Sequence, residues 1–199
     1  MSNSILSVVL GVVALAAASP AAAEPFRAFL DMCLTADANA QSARDAAQAA
    51  GWTKMPAAVF SEDDAPFEEM EVYFAESPAS GDKDAGFQLL MTGWQSGKES
   101  LGVDGVRLDM CAVGFASTGD DGMAEAMERY VGFAPTEVDG KPTWMFSRQG
   151  DHLRSESGVL TDELDARLDA VRSRKLLMAG VWTEGDMTLL VLGASRPGT

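Results

Sequence analysis

Two apolar runs close to the C-terminus, residues 176–183 and 187–194, are separated only by Glu184, Gly185 and Asp186. Such a connection reverses the chain but is far too short for a crossover, which needs about a dozen residues, so the runs can pair only as an antiparallel hairpin. The same constraint recurs upstream. Residues 68–77 alternate, with Met70, Val72 and Phe74 toward one side and Glu69, Glu71 and Tyr73 toward the other, as a half-buried strand does. The stretch SPASGDKDAG, residues 77–86, holds the residues that make turns and leads into a second apolar run, 87–94, so a further hairpin is predicted. In residues 105–117, Val106, Leu108 and Met110 face one way and Cys111, Val113 and Phe115 the other, so both faces of this strand's second half are expected to be covered. Residues 143–148 read as another strand.

Helical periodicity is confined to three places. Phe26, Phe29, Leu30 and Cys33 recur at three and four residues, and an alanine-rich stretch from Ala38 to Ala50 continues the helix after a break near residues 35–39. Asp120 and Asp121 are N-cap candidates for a helix whose Met123, Met127, Tyr130 and Val131 share a stripe, ended by Gly132 and Pro135. Thr161, Asp162 and Glu163 start a third helix, with Leu160, Leu164, Leu168 and Val171 in register and Arg172, Arg174 and Lys175 complementing its C-terminal dipole. Strands in succession with few helices between them give an α+β fold, a mainly antiparallel sheet with about three helices packed on it.

The N-terminus sets the compartment. Residues 1–23 carry no charge, and the apolar run from Ile5 to Ala18 ends at Ser19 and Pro20 before Ala21, Ala22 and Ala23. That is the pattern of a signal peptide cleaved after Ala23, although Met1 to Ser4 lack the usual Lys or Arg. Residues 24–199 then form a single α+β domain with no internal linker, in a periplasmic or secreted setting, with no stable membrane insertion after cleavage. This domain keeps the whole formal charge of -15, from 30 acidic and 15 basic residues. Such a balance repels phosphate backbones and anionic membranes, which argues against nucleic acid and is compatible with a basic protein partner.

Chemical motifs are sparse. His152, in the polar stretch 149–154, is the one histidine, so sites built on two imidazoles are excluded. It could serve as a general base beside a serine, but no G-x-S-x-G elbow supports that role, since Phe115 stands where the first glycine of 115–119 belongs. Ser80-Gly81-Asp82-Lys83 matches S-x-x-K in a turn rather than at a helix start. The acidic groups Glu62, Asp63, Asp64 and Asp82, Asp84 lack EF-hand spacing and read as solvated loops. Met123 and Met127 stand one turn apart, as thioether ligands for Cu(I) would, yet their stripe is equally a packing face. No phosphate loop or dinucleotide fingerprint is present, and no metal or other cofactor is called for.

Phe29-x-x-x-Cys33, the alanine-rich stretch ending in Gly51-Trp52, and Met110-Cys111-Ala112-Val113 resemble a family of small, uncharacterised secreted bacterial proteins. The resemblance implies a periplasmic location and a paired cysteine. The residues support the pairing themselves: Cys33 and Cys111 are the only cysteines, both follow the cleavage site, and an oxidising compartment joins two thiols that can meet. Two thiolates and one distant imidazole fall short of a four-ligand zinc centre. The expected function is that of a non-enzymatic periplasmic protein, a ligand- or protein-binding module of the cell envelope. The alternative is a cofactor-free envelope hydrolase using His152. An enzyme would gather polar side chains in one concave pocket, a binding module would show an exposed patch, and Trp52, Trp94, Trp144 and Trp182 are the aromatic residues that such a surface would use. The exported protein is expected to begin at Glu24; an intact mass retaining residues 1–23, in a membrane fraction, would make the segment an anchor instead.

Overall fold

The computed structural model describes residues 20–56, 65, 67–76, 87–116 and 122–197. The apolar run 5–18, the acidic clusters of 62–64 and 82–84, the Ser80–Lys83 motif, residues 117–119 and the cap candidates Asp120 and Asp121 lie outside these residues. Among the described residues nine strands form one sheet, and every pairing is antiparallel. In chain order they are β1 (Thr53–Lys54), β2 (Glu68–Glu76), β3 (Phe87–Ser96), β4 (Val106–Ala116), β5 (Thr136–Val138), β6 (Lys141–Gln149), β7 (His152–Ser155), β8 (Leu177–Glu184) and β9 (Met187–Pro197). The spatial order is β1-β2-β3-β4-β9-β8-β6-β5, with β7 also pairing β6. Both expected hairpins, β2–β3 and β8–β9, are present.

Each face of the sheet carries its own core. On the first face Tyr73, Leu90, Cys111, Val113, Trp144, Phe146, Leu190 and Leu192 pack beneath Phe29, Met32, Cys33, Leu34, Ala43, Ala47, Met123 and Met127. These come from α1 (Pro20–Phe29), the π-helical turn Leu30–Leu34, α2 (Ala40–Ala49) and α4 (Met123–Val131). Ala43 and Ala47 are fully buried, and such small side chains bring α2 close to the sheet. Tyr73 is buried for that reason, although alternation alone predicts an exposed face for it. Two short helices, α3 (Gly97–Leu101) and α5 (Gly158–Thr161), add to those expected, and with α6 (Leu164–Ser173) they supply Leu101, Val159, Ala170 and Val171 to the second face.

The break after the first helix has a definite cause. Thr35 donates its N–H and its hydroxyl to Leu30 O at 3.0 and 2.8 Å, widening the turn so that Met32, Cys33 and Leu34 are all buried. Asp37 and Ala38 then take positive φ angles of 47° and 58°, which stop the helix. Asn39 restarts it, its side chain accepting from Ser42 N at 2.9 Å. Elsewhere the sequence pattern needs correction. The cap of α4 is Gly122, in the left-handed region at φ 71°. The third expected helix begins at its expected start as α6, with Glu163 at its N-cap, but Leu160 falls in the separate helix α5 and Leu164 is 54% exposed rather than in the buried stripe. His152, in the polar stretch 149–154, lies in the short strand β7.

Cys33 and Cys111 form the expected disulfide, with Cα atoms 5.5 Å apart and both residues fully buried. It ties the π-helical turn to the central strand across a sequence separation of 78. Closing a loop of that length restricts the unfolded chain by about 4 kcal/mol in the chain-entropy account. The double variant Cys33→Ala/Cys111→Ala is therefore expected to lose about that much in guanidinium unfolding; an unchanged midpoint would show that helix packing alone holds α1 in place.

Candidate functional site

The second face of the sheet carries a group of partly covered apolar side chains. Leu89, Met178, Trp182 and Leu189 on it are only partly buried. Glycines let neighbouring side chains settle low on this face. A Cβ on Gly180 would stand 2.7 Å from Trp182 Nε1, and one on Gly193 would stand 3.2 Å from Met110 Sδ. The indole of Trp182 therefore depends on the bare backbone of Gly180 beneath it. Beside it opens a cavity of about 250 Å³. Met110, Met178 and Val191 line it with Trp182 and Val138, while Gln95, Asp139, Lys141 and Thr143 supply polar groups.

The β5–β6 turn sets part of that rim. Asp139 and Gly140 both have positive φ, 51° and 73°, the conformation that tightens a two-residue hairpin. The turn brings Lys141 over Trp182, its Nζ 5.1 Å from the ring centroid, where the negative face of the indole attracts a cation. The hydroxyl of Thr143 donates to Lys141 O at 3.3 Å and steadies the start of β6. Chemically the site offers an apolar floor, one aromatic face, one cation, one carboxylate and an amide. It can enclose a single ring or side chain and orient it by hydrogen bonds.

Carboxylates with displaced pKa values lie elsewhere. Burial pushes the Glu156 carboxyl up, but hydrogen bonds from Arg174 and Ser147 and the charges of Arg174 and Arg154 outweigh it and hold the group below its usual range. Burial likewise pushes the Asp37 carboxyl up, but bonds from Lys175 and Arg148 at 2.9 and 2.7 Å and their charges outweigh it and hold the group below its usual range, while Arg148 is raised in return. Glu71 is lowered against its burial by Lys54, Arg44 and Tyr73. All three carboxylates are fixed in the ionised form by cations that tie helices, loops or strands together.

The residues singled out by sequence fall in several places. His152 is exposed on β7, across from Gln149, and makes no side-chain hydrogen bond or ion pair among the described residues. Met123 and Met127 are each 1% exposed, so their sulfurs belong to the first core and the stripe is a packing face. Trp144 is buried, its Nε1 donating to Phe133 O at 3.1 Å, and Trp52 packs partly buried against the same core. Only Trp182 of the four tryptophans lines the cavity. Its companions Gln95, Asp139, Lys141 and Thr143 were not distinguishable in the sequence, although Gly180 and Gly193 within apolar strands signal a close approach from above. Among the described residues no cluster of His, Cys, Asp or Glu is placed to hold a metal ion, and no helix is long and apolar enough to cross a membrane. No family model, curated protein or solved structure matches the chain.

The lowered carboxylates give stability a defined pH dependence. A group whose pKa is depressed on folding stabilises the fold fully above its unfolded value, here 3.8 for Asp37 and 4.5 for Glu71 and Glu156, and loses that contribution as pH falls through the folded value. Urea midpoints are expected to fall as pH drops below about 4.5, and Glu156→Gln should flatten the fall; a wild-type midpoint that holds steady or rises there would contradict the ion-pair account.

Proposed function

We propose that this chain is a non-enzymatic binding protein of the cell envelope, of the small secreted type that its cysteine-bearing helix and central strand resemble. It takes a small ligand, or one side chain of a larger partner, beside Trp182. The observation that carries the reading is the cavity itself: an apolar floor of Met110, Met178 and Val191 under a polar rim of Gln95, Asp139, Lys141 and Thr143. A volume of about 250 Å³ lies just below the roughly 300 Å³ at which drug-sized sites begin, and so suits one ring or side chain.

Binding rather than catalysis is favoured because the strongly paired carboxylates are held ionised by structural cations and none of them lines the cavity. An acid–base site needs the opposite, a group tuned toward neutral pH beside the substrate. The envelope setting rests on the uncharged apolar leader and on the Cys33–Cys111 bridge. If the ligand belongs to a protein, the formal charge of -15 favours a basic partner surface around the inserted side chain.

Ligand-observed NMR with a mixture of amino-acid amides and monosaccharides tests the reading directly. At least one probe is expected to bind the wild type and to bind Trp182→Ala about 30-fold more weakly, the effect of truncating a central aromatic anchor. Equal binding to the folded variant, or turnover of a probe that ceases in His152→Ala, would overturn the proposal.

A further inference from the structure

On the disulfide-bearing face, the strand register sets Arg107 of β4 directly opposite Arg196 of β9. Like charges in that relation repel, so the pair requires compensation. Among the described residues Asp109 provides it: one carboxylate oxygen accepts from Arg107 Nε at 3.3 Å and the other lies against Arg196 Nε in an ion pair. Asp109 is only 7% exposed and stays between the strands, whereas the two arginine side chains are 39% and 38% exposed. Trp94 of β3 fixes one of them, with the Arg107 guanidinium 4.9 Å from its ring centroid.

The chemistry of this cluster is unbalanced. Two guanidiniums carry about ten N–H donors, and one carboxylate offers roughly four acceptor positions. The imbalance reaches the interior as well. Trp94 Nε1, beneath the Arg107 guanidinium, is a buried donor that makes no hydrogen bond among the described residues. An excess of donors, a surplus positive charge and two forks on neighbouring strands are what a tetrahedral oxyanion requires, because each fork can give it two parallel hydrogen bonds. The overall negative charge does not prevent this at physiological salt, where fields are screened within about 8 Å and the local pair dominates.

We infer that Arg107 and Arg196 form a second binding site, separate from the Trp182 cavity, for a phosphate group carried by a small soluble molecule or a lipid headgroup. Arg107 is the arm stacked on Trp94, and Arg196 is the opposing arm.

The test uses inorganic phosphate on the whole chain at constant ionic strength, balanced with chloride. Emission is followed as the difference between wild type and Trp94→Phe, alongside the thermal midpoint. A saturable response at millimolar phosphate is expected, with affinity reduced about tenfold or more in Arg196→Ala and partly kept in Arg196→Lys. Arg107→Ala serves as the second variant should Arg196→Ala fail to fold. Sedimentation with phosphatidylglycerol vesicles, but not phosphatidylcholine vesicles, that free phosphate competes away would identify the lipid source; phosphate binding without sedimentation would identify a soluble one. No saturable response, or an equal response in the wild type and the folded arginine variants, overturns the site and leaves the cluster as an ion-paired strand end.

Discussion

Strand β4 is hydrogen-bonded along its whole length, to β3 on one side and β9 on the other, and it is buried on both faces. Its two faces divide the molecule. Cys111 looks toward the helices of the first core and joins the π-helical turn through the disulfide, while Met110, its neighbour in sequence, belongs to the second core and the floor of the Trp182 cavity. A one-residue slip of β4 would exchange these faces, removing the bridge and refilling the cavity floor at once. The bridge therefore fixes register as well as connectivity: only one alignment of β4 presents Cys111 to Cys33.

Charge is arranged around that frame in a consistent way. With 15 basic residues against 30 acidic ones, cations are scarce. Several hold separate elements together rather than sit as solvated charges: Arg148 and Lys175 bind Asp37 in the loop before α2, Arg44 and Lys54 bind Glu71 on β2, and Arg174 binds Glu156 beside α5. Exposed pairs of this kind contribute little, but Glu156, with 5% of its side chain exposed, would be left uncompensated if Arg174 were lost. The positive φ at Asp37 belongs to the same logic, since two cations anchor the carboxylate whose backbone is strained.

Much of this architecture was legible because short connections leave few choices. Three residues between the last two apolar runs, of which only Gly185 and Asp186 lie between β8 and β9, force a hairpin, and a run such as 35–39 interrupts an apolar helix stripe visibly. The π-helical turn was not legible, because it depends on the Thr35 hydroxyl and N–H both choosing Leu30 O over the usual partner. Nor was β7: His152-Leu153-Arg154-Ser155 is short and polar, and only its pairing with β6 makes it a strand. The cavity was least legible. Gln95, Asp139, Lys141 and Thr143 lie on β3, the β5–β6 turn and β6, and what unites them is register across strands far apart in sequence, to which local periodicity is blind.

The Arg107–Arg196 pair and the Trp182 cavity use the same strands from opposite sides. Asp109 and Met110 are adjacent on β4, one in the arginine pair and the other under Trp182. Proximity alone does not couple them. Coupling requires an element with two arrangements that both ligands bias, and β4 is bonded along both edges and packed on both faces, so it offers one arrangement only. The central strand that unites the fold thus separates the arginine pair on one face from the Trp182 cavity on the other.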